Sequence, residues 1–375
     1  MAGIYIHIPF CKQKCTYCDF YKEVSPQLLP DFINSAVKEL HLQKDYLKNE
    51  PIDTIYFGGG TPSILKSEDF KQIFDAIYSL HSISADAEIT FEANPDDLTP
   101  PFFESIKPLP FNRISIGIQS FNNDDLKRIN RRHTADQAIQ AVKTAQQAGF
   151  DNLSIDLIYG LPSQTFEQWE QHLDIAFSLN VQHISAYGLT YEEGTALWKQ
   201  RERGKVTPID DETMTEMFFH LRKKIIENDF EAYEVSNFAK KGFRSRHNTS
   251  YWKQEAYLGI GPSAHSYNIE SRQWNVSSIK EYTKTINENK AYFEREILSV
   301  FDQYNDFVMV RLRTSDGLNL IEIEEKFGSE FKIYCLENIQ RFINDKKVDF
   351  SNNVLSLTIE GIQISNLILT EIMKV

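Results

Sequence analysis

The sequence has little cysteine and no apolar run long enough to cross a membrane. Its 375 residues include only 4 cysteines, and a chain of this length can bury a core without disulfides. No apolar stretch approaches the roughly 20 residues that span a bilayer. The N-terminus also lacks the basic and apolar regions of a secretory signal. These absences exclude a disulfide-stabilised scaffold, and we expect a cytoplasmic protein without an integral membrane segment.

Positive charge is scarce as well. The chain has 53 acidic residues against 40 lysines and arginines, a formal net charge of −13. The electrostatic field of a protein with this net negative charge repels a phosphate backbone, so we do not expect nucleic acid as a partner. The content of 41% hydrophobic and 25% charged residues is ordinary for a globular protein and excludes a disordered chain.

Short β-branched segments alternate with longer amphipathic segments over the first 200 residues. Strand-like segments occur at 3–8, 52–57, 87–91, 113–118, 153–158 and 183–189. Helical periodicity occurs between them at 28–47, 68–80, 135–148 and 166–179. Six strands alternating with helices predict parallel βαβ units, and a closed barrel would need eight. We therefore predict an α/β fold built on an open, partial (β/α)6 barrel, with ligands at the carboxyl ends of the strands.

The alternation of strands and helices ends near residue 205, which suggests three domains. Residues 1–205 would form the partial barrel, and residues 206–297 a helical and loop-rich extension. Residues 298–375 show three helices, two short strands and a final helix, the order of a small winged-helix-like domain. Such domains often bind DNA, but the acidic balance favours a structural or docking role.

Three of the four cysteines follow the first predicted strand, in the pattern Cys11-x₃-Cys15-x₂-Cys18. Soft thiolates bind iron–sulfur clusters or zinc. A structural zinc ion needs four protein ligands, and His7 is the nearest fourth candidate, so a Cys₃His zinc site is the alternative. Three thiolates around four irons instead leave one iron open, as substrate-binding metal chemistry requires. The fourth cysteine, Cys335, lies in a helical-looking stretch that predicts a small buried apolar residue.

Glycines and polar residues follow the other predicted strands. The glycines at 58–60 allow close backbone approach, and Thr61 adds a hydroxyl. Glu92 suits an ammonium group or ribose hydroxyls, and Arg131 suits a carboxylate. The polar side chains of two further strand ends, Gln119 and Asp156, could fix polar edges of the same ligand.

Residues 7–18, HIPFCKQKCTYC, resemble the signature of the radical S-adenosylmethionine superfamily in its HemN-like, coproporphyrinogen-dehydrogenase branch. The resemblance continues through 58–62, 92–95, 117–121, 156–162 and the C-terminal domain. It implies a [4Fe–4S] cluster on Cys11, Cys15 and Cys18, with S-adenosylmethionine chelated at the open iron. It also implies an electron donor, because the reduced cluster of this family cleaves that cofactor to a 5′-deoxyadenosyl radical. The implied contacts with S-adenosylmethionine are Tyr5, Tyr17, Gly59, Gly60, Thr61, Glu92, Gln119, Arg131 and Asp156.

Residues 247–252, HNTSYW, resemble the H-N-x-x-Y-W motif of the HemW family, haem-binding relatives of the dehydrogenase. The resemblance implies that His247 is an axial haem ligand, with Tyr251 and Trp252 against the macrocycle. Nearby arginines 244 and 246 could pair with the propionates. The alternative haem ligands are His133 and His265.

Two departures separate the chain from the dehydrogenase of this branch. Phe20 stands where that enzyme carries another cysteine, and the N-terminal extension of that enzyme is missing here. Both departures argue against coproporphyrinogen dehydrogenase activity. We therefore expect a haem-binding chaperone that transfers haem to an acceptor protein and carries the cluster and S-adenosylmethionine as a coupling module. The alternative is a radical enzyme that acts on a porphyrinogen or another substrate.

Overall fold

A twelve-stranded mixed sheet forms the framework of the computed structural model, which describes residues 2–374. Six of its strands are parallel and neighbour one another in chain order. They are β1 (Ala2–Ile8), β2 (Ile52–Gly59), β3 (Ile83–Ala93), β4 (Arg113–Gln119), β5 (Leu153–Tyr159) and β6 (His183–Gly188). The sheet does not close on itself, so the predicted α/β fold with a partial (β/α)6 barrel is confirmed.

Helices cover the outer face of these strands. The longer ones are α1 (Leu29–Leu42), α2 (Ser67–Leu80), α5 (Ala135–Gln147) and α6 (Phe166–Ser178), and the shorter ones are α3 (Pro100–Ile106), α4 (Asn123–Arg128) and α7 (Ala196–Glu202). Along β1, the fully buried Ile4, Ile6 and Ile8 alternate with residues of the inner face, among them Tyr5 and His7. This period of two separates an apolar face, which packs on the helices, from a polar interior.

The segment 206–297, expected to be helical and loop-rich, contains six short strands of the same sheet. They are β7 (Phe230–Ala232), β8 (Asn237–Lys240), β9 (Ala256–Ile260), β10 (His265–Tyr267), β11 (Ser271–Asn275) and β12 (Phe293–Ile297). Strands β8 and β7 extend the sheet antiparallel beyond β6, and β9 lies parallel to β1 with β10–β12 beyond it. At three to five residues each, these strands are too short for an alternating pattern to be recognised. The segment also has three helices, α8 (Asp211–Glu227), α9 (Arg246–Trp252) and α10 (Ile279–Asn287).

The C-terminal part has its own hydrophobic core, formed by residues within 304–372. Its elements are α11 (Val300–Leu312), β13 (Leu318–Asn319), α12 (Leu320–Phe327), α13 (Ser329–Asn344), β14 (Val348–Ser351), β15 (Val354–Leu357), α14 (Ile359–Gln363) and α15 (Ser365–Ile372). The three strands form an antiparallel sheet in the order β13-β15-β14, as in a winged helix. Cys335 is fully buried in this core, as expected of a small apolar residue.

The exact division of the chain at residues 205 and 297 stays a prediction. Within the described residues 2–374, no helix is long and apolar enough to cross a membrane.

Candidate functional site

The carboxyl ends of the parallel strands surround a cavity of about 600 Å³. This is where the loops of parallel βαβ units converge and where ligands bind in such folds. The cavity brings together all but one of the residues expected to hold the cluster or S-adenosylmethionine. They are Cys11, Cys15, Tyr17, Cys18, Gly59, Gly60, Thr61, Glu92, Gln119, Arg131 and Asp156.

Backbone hydrogen bonds hold the cysteine loop in place after the carboxyl end of β1. The N–H of Cys11 donates to the carbonyl of Glu23 at 2.9 Å, and the N–H of Thr16 donates to the carbonyl of Ile129 at 3.1 Å. Within the loop, Lys12 Nζ lies 2.6 Å from the carboxylate of Asp97, whose side chain is 1% exposed. The loop is therefore anchored to the barrel along its length before any ligand binds.

Two of the three thiols have hydrogen-bond donors beside them. Thr61 Oγ1 donates to Cys11 Sγ at 3.3 Å, and Arg131 donates to Cys15 Sγ at 3.5 Å. Burial raises the pKa of Cys11, because a thiolate loses hydration in this position. A metal centre bound here would reverse that preference, since a coordinated thiol is deprotonated.

The three thiols and His7 are the ligands that the two metal-site alternatives use. Among residues 2–374, no group of three or more His, Cys, Asp or Glu side chains is arranged to hold one metal ion. A zinc ion needs four ligand atoms converging on one centre, whereas a cubane cluster presents separate irons to separate thiolates. Cys11, Cys15 and Cys18 line the cavity together, whereas His7, the fourth ligand of the Cys₃His alternative, does not line it and has its Nδ1 hydrogen-bonded to the Tyr5 hydroxyl.

Arg131 is a half-buried cation that forms no ion pair with a carboxylate among the described residues. Its guanidinium donates to Asn94 Oδ1 at 2.7 Å, to the carbonyl of Gly117 and to Cys15 Sγ. Its Nε is buried and has no hydrogen-bond partner in the described residues. A guanidinium that is left with a buried, unused donor favours an anionic ligand.

Glu92 forms the acidic side of the cavity. Its Oε1 accepts from the Tyr56 hydroxyl at 2.9 Å, and its Oε2 accepts from the N–H of Gly59 at 3.1 Å. Burial, together with the nearby Asp156, raises the pKa of Glu92 to about 7. A cationic ligand group would supply the missing counter-charge.

The glycine run shapes the cavity by close packing rather than by free N–H groups. The N–H of Gly59 donates to Glu92 and that of Gly60 donates to the carbonyl of Ile8, so neither is free for a ligand carboxylate. A Cβ on Gly60 would lie 2.5 Å from the carbonyl oxygen of Phe10. Gly60 therefore lets the cysteine loop lie directly against the end of β2.

A bulge at the end of β4 aims Gln119 over the cavity. The register of β4 with β5 shifts between Gly117 and Gln119, and Gln119 has a φ of 71°. Left-handed backbone in a residue other than glycine costs free energy and is often found at ligand sites. On the neighbouring strand, Asp156 accepts from Ser115 Oγ at 3.2 Å, and burial raises its pKa.

The two tyrosines on the list of expected contacts differ in position. Tyr17 lines the cavity and packs with Ile129, Ile158 and Leu161. Tyr5 does not line it: its hydroxyl is hydrogen-bonded to His7 Nδ1 at 3.1 Å, inside the barrel. Tyr5 therefore supports the floor of the cavity in this structure and does not face a ligand.

The structure does not bring the expected haem ligand, His247, to a surface. His247 is 1% exposed, and its two ring nitrogens are hydrogen-bonded to Thr54 Oγ1 and to the Tyr251 hydroxyl, both at 2.8 Å. Its ring stacks on Tyr56 at 4.9 Å, and burial lowers its pKa to about 3. In this structure His247 has no free nitrogen for iron, because α9 places its ring over the inner face of β1 and β2, beside Gly3 and Thr54.

The other residues expected around haem are engaged as well. Arg244 pairs with Glu231 and Asp316, and Arg246 pairs with Asp86. Trp252 lies beside a small pocket with residues of the C-terminal domain and is separate from the cofactor cavity.

Sequence reasoning missed several residues that line the cavity. Asn94 links two expected contacts, since its Nδ2 donates to Thr61 Oγ1 at 3.3 Å and its Oδ1 accepts from Arg131. Asn94 directly follows the carboxyl end of β3, two residues after Glu92, and this position could have identified it as a cavity residue. Tyr187 and Leu189 also line the cavity, and their position at the end of β6 is the same signal.

Comparisons with known proteins agree with this arrangement. Residues 5–176 match the model of the radical SAM superfamily, and residues 298–364 match that of the HemN C-terminal domain. A curated relative from Lactococcus lactis subsp. lactis (strain IL1403), called "Heme chaperone HemW", is 34% identical over 96% of this chain and 94% of its own length. A relative of the same name from Bacillus subtilis (strain 168) is 34% identical over 88% of this chain and 87% of its own.

Among solved structures, the coproporphyrinogen III oxidase HemN from Escherichia coli, described as a radical SAM enzyme, has a TM-score of 0.87. The match covers 100% of this chain and 90% of the other, at 21% sequence identity. This likeness supports the fold alone.

Proposed function

The chain belongs to the HemW family of the radical S-adenosylmethionine superfamily, and we propose that it binds haem and transfers it to an acceptor protein. We further propose that Cys11, Cys15 and Cys18 hold a [4Fe–4S] cluster whose open iron takes S-adenosylmethionine. The curated relatives that match nearly the whole chain are named heme chaperones, which supports the first part. The second part rests on the cavity.

One observation carries the cluster and cofactor assignment. Three thiols, a guanidinium without a carboxylate partner and a buried carboxyl with a raised pKa line the same cavity. An anionic cluster and a zwitterionic ligand complement those groups in charge. The buried Nε of Arg131 has no hydrogen-bond partner among the described residues and the pKa of Glu92 is raised, so an anionic and a cationic ligand group would each be stabilised there.

Different residues of the cavity would bind the cluster and the two charged groups of S-adenosylmethionine. Thr61 and Arg131 would donate to the cysteine sulfurs that ligate the cluster, as they do to the thiols of Cys11 and Cys15. Glu92 would take the amino group of the cofactor, and Arg131 would receive its carboxylate. When bound and reduced, the cluster supplies an electron to S-adenosylmethionine, so an electron donor is a further expected partner.

Anaerobic reconstitution tests the cluster assignment. We expect about four irons per chain and a broad brown absorption, because three thiolates and an open position suit a cubane cluster. Cys11→Ala should abolish both signals, whereas Cys335→Ala, in the separate C-terminal core, should leave them unchanged. Stoichiometric zinc without iron uptake would contradict the assignment.

Haem transfer needs its own assay. Haem-loaded protein mixed with an apo b-type cytochrome should lose its haem absorption while the cytochrome gains its own, faster than the cytochrome takes up free haemin. If the protein binds no haem, or releases it no faster than free haemin is taken up, the chaperone proposal fails.

The second candidate function is a radical enzyme of the coproporphyrinogen dehydrogenase type, because nearly all the residues expected to contact S-adenosylmethionine line one cavity. Incubation of the reduced, reconstituted protein with coproporphyrinogen III and S-adenosylmethionine distinguishes the two. Formation of protoporphyrinogen would favour the enzyme, and an unchanged substrate would favour the chaperone.

A further inference from the structure

The histidines of the chain differ in whether they offer a free nitrogen at the surface. His133, His172, His183 and His247 are buried and hydrogen-bonded. Within residues 2–374, the exposed histidines are His41 and His265. His41 lies on the outer side of α1, near its end. His265 begins β10, and its ring contacts Trp274.

His265 belongs to a face of four rings on the extension of the sheet. It lies directly opposite Trp274 across β10 and β11, and Tyr267 lies directly opposite Tyr257 across β9 and β10. Cross-strand partners and residues two apart share one face of a sheet. The ring centroids of His265 and Trp274 are 6.3 Å apart, and those of Tyr257 and Tyr267 are 6.4 Å apart. We call these four residues the aromatic face.

The aromatic face is exposed at His265 and partly covered at Tyr257, where Tyr251 of α9 packs on it, while the reverse side of the same strands is packed. Tyr257, Tyr267 and Trp274 are half-buried, and His265 is exposed. On the reverse side, Asn275 is buried and its amide donates to Glu39 of α1 at 2.6 Å. The strands are thus supported from behind by α1 and present aromatic rings and an imidazole on the other side.

The His265 end of the aromatic face lies toward the rim that carries the cysteine loop, whereas Tyr257 pairs with Gly3 at the start of β1. Strand β9 is parallel to β1, so the turn into β10 is at the same edge of the sheet as the end of β1. Gly261 in that turn has a φ of 104°, and a Cβ there would lie 2.6 Å from the carbonyl oxygen of His7. His265 therefore starts its strand beside the base of the cysteine loop.

We propose that haem binds on the aromatic face with His265 as its axial iron ligand. This inference rests on the proposed haem-binding function and names its site. A neutral imidazole ligates haem iron, and aromatic side chains pack against a flat macrocycle in offset or edge contacts. Arg272 lies on the same face, directly opposite Tyr267. Arg272 itself pairs with Glu296 and Asp306.

The H-N-x-x-Y-W motif then supports the site from within the barrel. The Tyr251 hydroxyl is hydrogen-bonded to His247 Nε2, and the Tyr251 ring packs edge-on against Tyr257 at 4.6 Å. His247 thereby holds Tyr251, and through it Tyr257, in place. We assign His247 as a positioning residue and not as the iron ligand.

The test is a haemin titration of the cluster-bearing protein and three matched variants, followed by difference absorption in the Soret region. His265→Ala should weaken haem binding at least tenfold and shift the Soret band, and added imidazole should restore the wild-type spectrum. His41→Ala, which removes the other exposed imidazole, should behave as wild type. His247→Ala should lower the thermal midpoint and the haem affinity but keep the wild-type Soret position, because the axial ligand is still present.

The outcomes separate this inference from the proposed function. If His265→Ala binds haem with unaltered affinity and spectrum while wild type binds haem, the ligand assignment is wrong and the chaperone proposal stands. If imidazole instead rescues the spectrum of His247→Ala, the motif histidine is the ligand and the inference is overturned. If wild type binds no haem, both fail.

Discussion

Glu92 provides a quantitative test of the cofactor cavity. In Glu92→Gln the side chain keeps its size but loses its charge beside the proposed amino group of S-adenosylmethionine. A hydrogen bond to a charged partner contributes about 1.5–3 kcal/mol, which corresponds to roughly 10- to 150-fold in affinity. We therefore expect the variant to bind the cofactor more weakly by a factor in this range at pH 8.

The pKa of Glu92 gives this effect a specific pH dependence. Burial raises that pKa to about 7, so the carboxyl is mostly ionised at pH 8 and mostly protonated at pH 6. The advantage of wild type over Glu92→Gln should fall about tenfold between these two pH values. The amino group of the cofactor titrates in the same range, but it does so equally in both proteins, so the ratio of dissociation constants isolates Glu92.

A second variant moves the midpoint of that profile. The Tyr56 hydroxyl donates to Glu92 at 2.9 Å and stabilises its ionised form. Removing a bond of about 0.5–1.5 kcal/mol in Tyr56→Phe should raise the pKa and shift the midpoint upward by about half to one pH unit.

The assay is equilibrium binding of S-adenosylmethionine to anaerobically reconstituted protein from pH 6 to 8.5, with cluster absorption as the control for an intact site. Equal affinities of wild type and Glu92→Gln at pH 8 would refute the assignment of Glu92 to the amino group. A ratio that stays constant with pH would refute the raised pKa.

Three further predictions follow from the same contacts. Arg131→Ala should weaken the change that S-adenosylmethionine causes in the electron paramagnetic resonance spectrum of the reduced cluster; an unchanged effect would contradict its proposed contact. Gly60→Ala should lower the free energy of unfolding by about 1–3 kcal/mol and impair cluster retention, because its Cβ would lie 2.5 Å from a backbone oxygen of the cysteine loop; thermal melting and iron content measure both. Burial raises the pKa of Glu39 to about 7, above its ordinary 4.5, so its stabilisation is complete below pH 4.5 and lost as the pH rises through 7. The loss should be about 3 kcal/mol, and urea unfolding at pH 5 and pH 8 should show a smaller pH dependence in Glu39→Gln.

Much of the fold could be predicted because the strands β1–β6 and their helices are long enough to show a period. The six predicted strands correspond to observed ones, and the cysteine loop, the glycine run and Glu92 all follow strands whose carboxyl ends meet at one edge. Local pattern is sufficient there, since parallel topology places successive strand ends side by side. The strands β7–β12 were missed because segments of three to five residues are too short to show an alternation of apolar and polar residues.

The amino-acid sequence by itself determined the partial barrel, the clustered thiols and the polar residues that line their cavity. Tertiary structure alone decided which of the two candidate haem ligands, His247 and His265, is buried and hydrogen-bonded and which is exposed. His247 stands in a recognisable motif, yet its environment is set by Thr54, 193 residues away in the chain, and by the packing of α9 against β1 and β2. His265 belongs to no motif, and pairing of strands with Trp274 and Tyr257 brings it onto the aromatic face. Whether an imidazole is buried and satisfied or exposed and free depends on residues distant in sequence, so no local pattern can specify it.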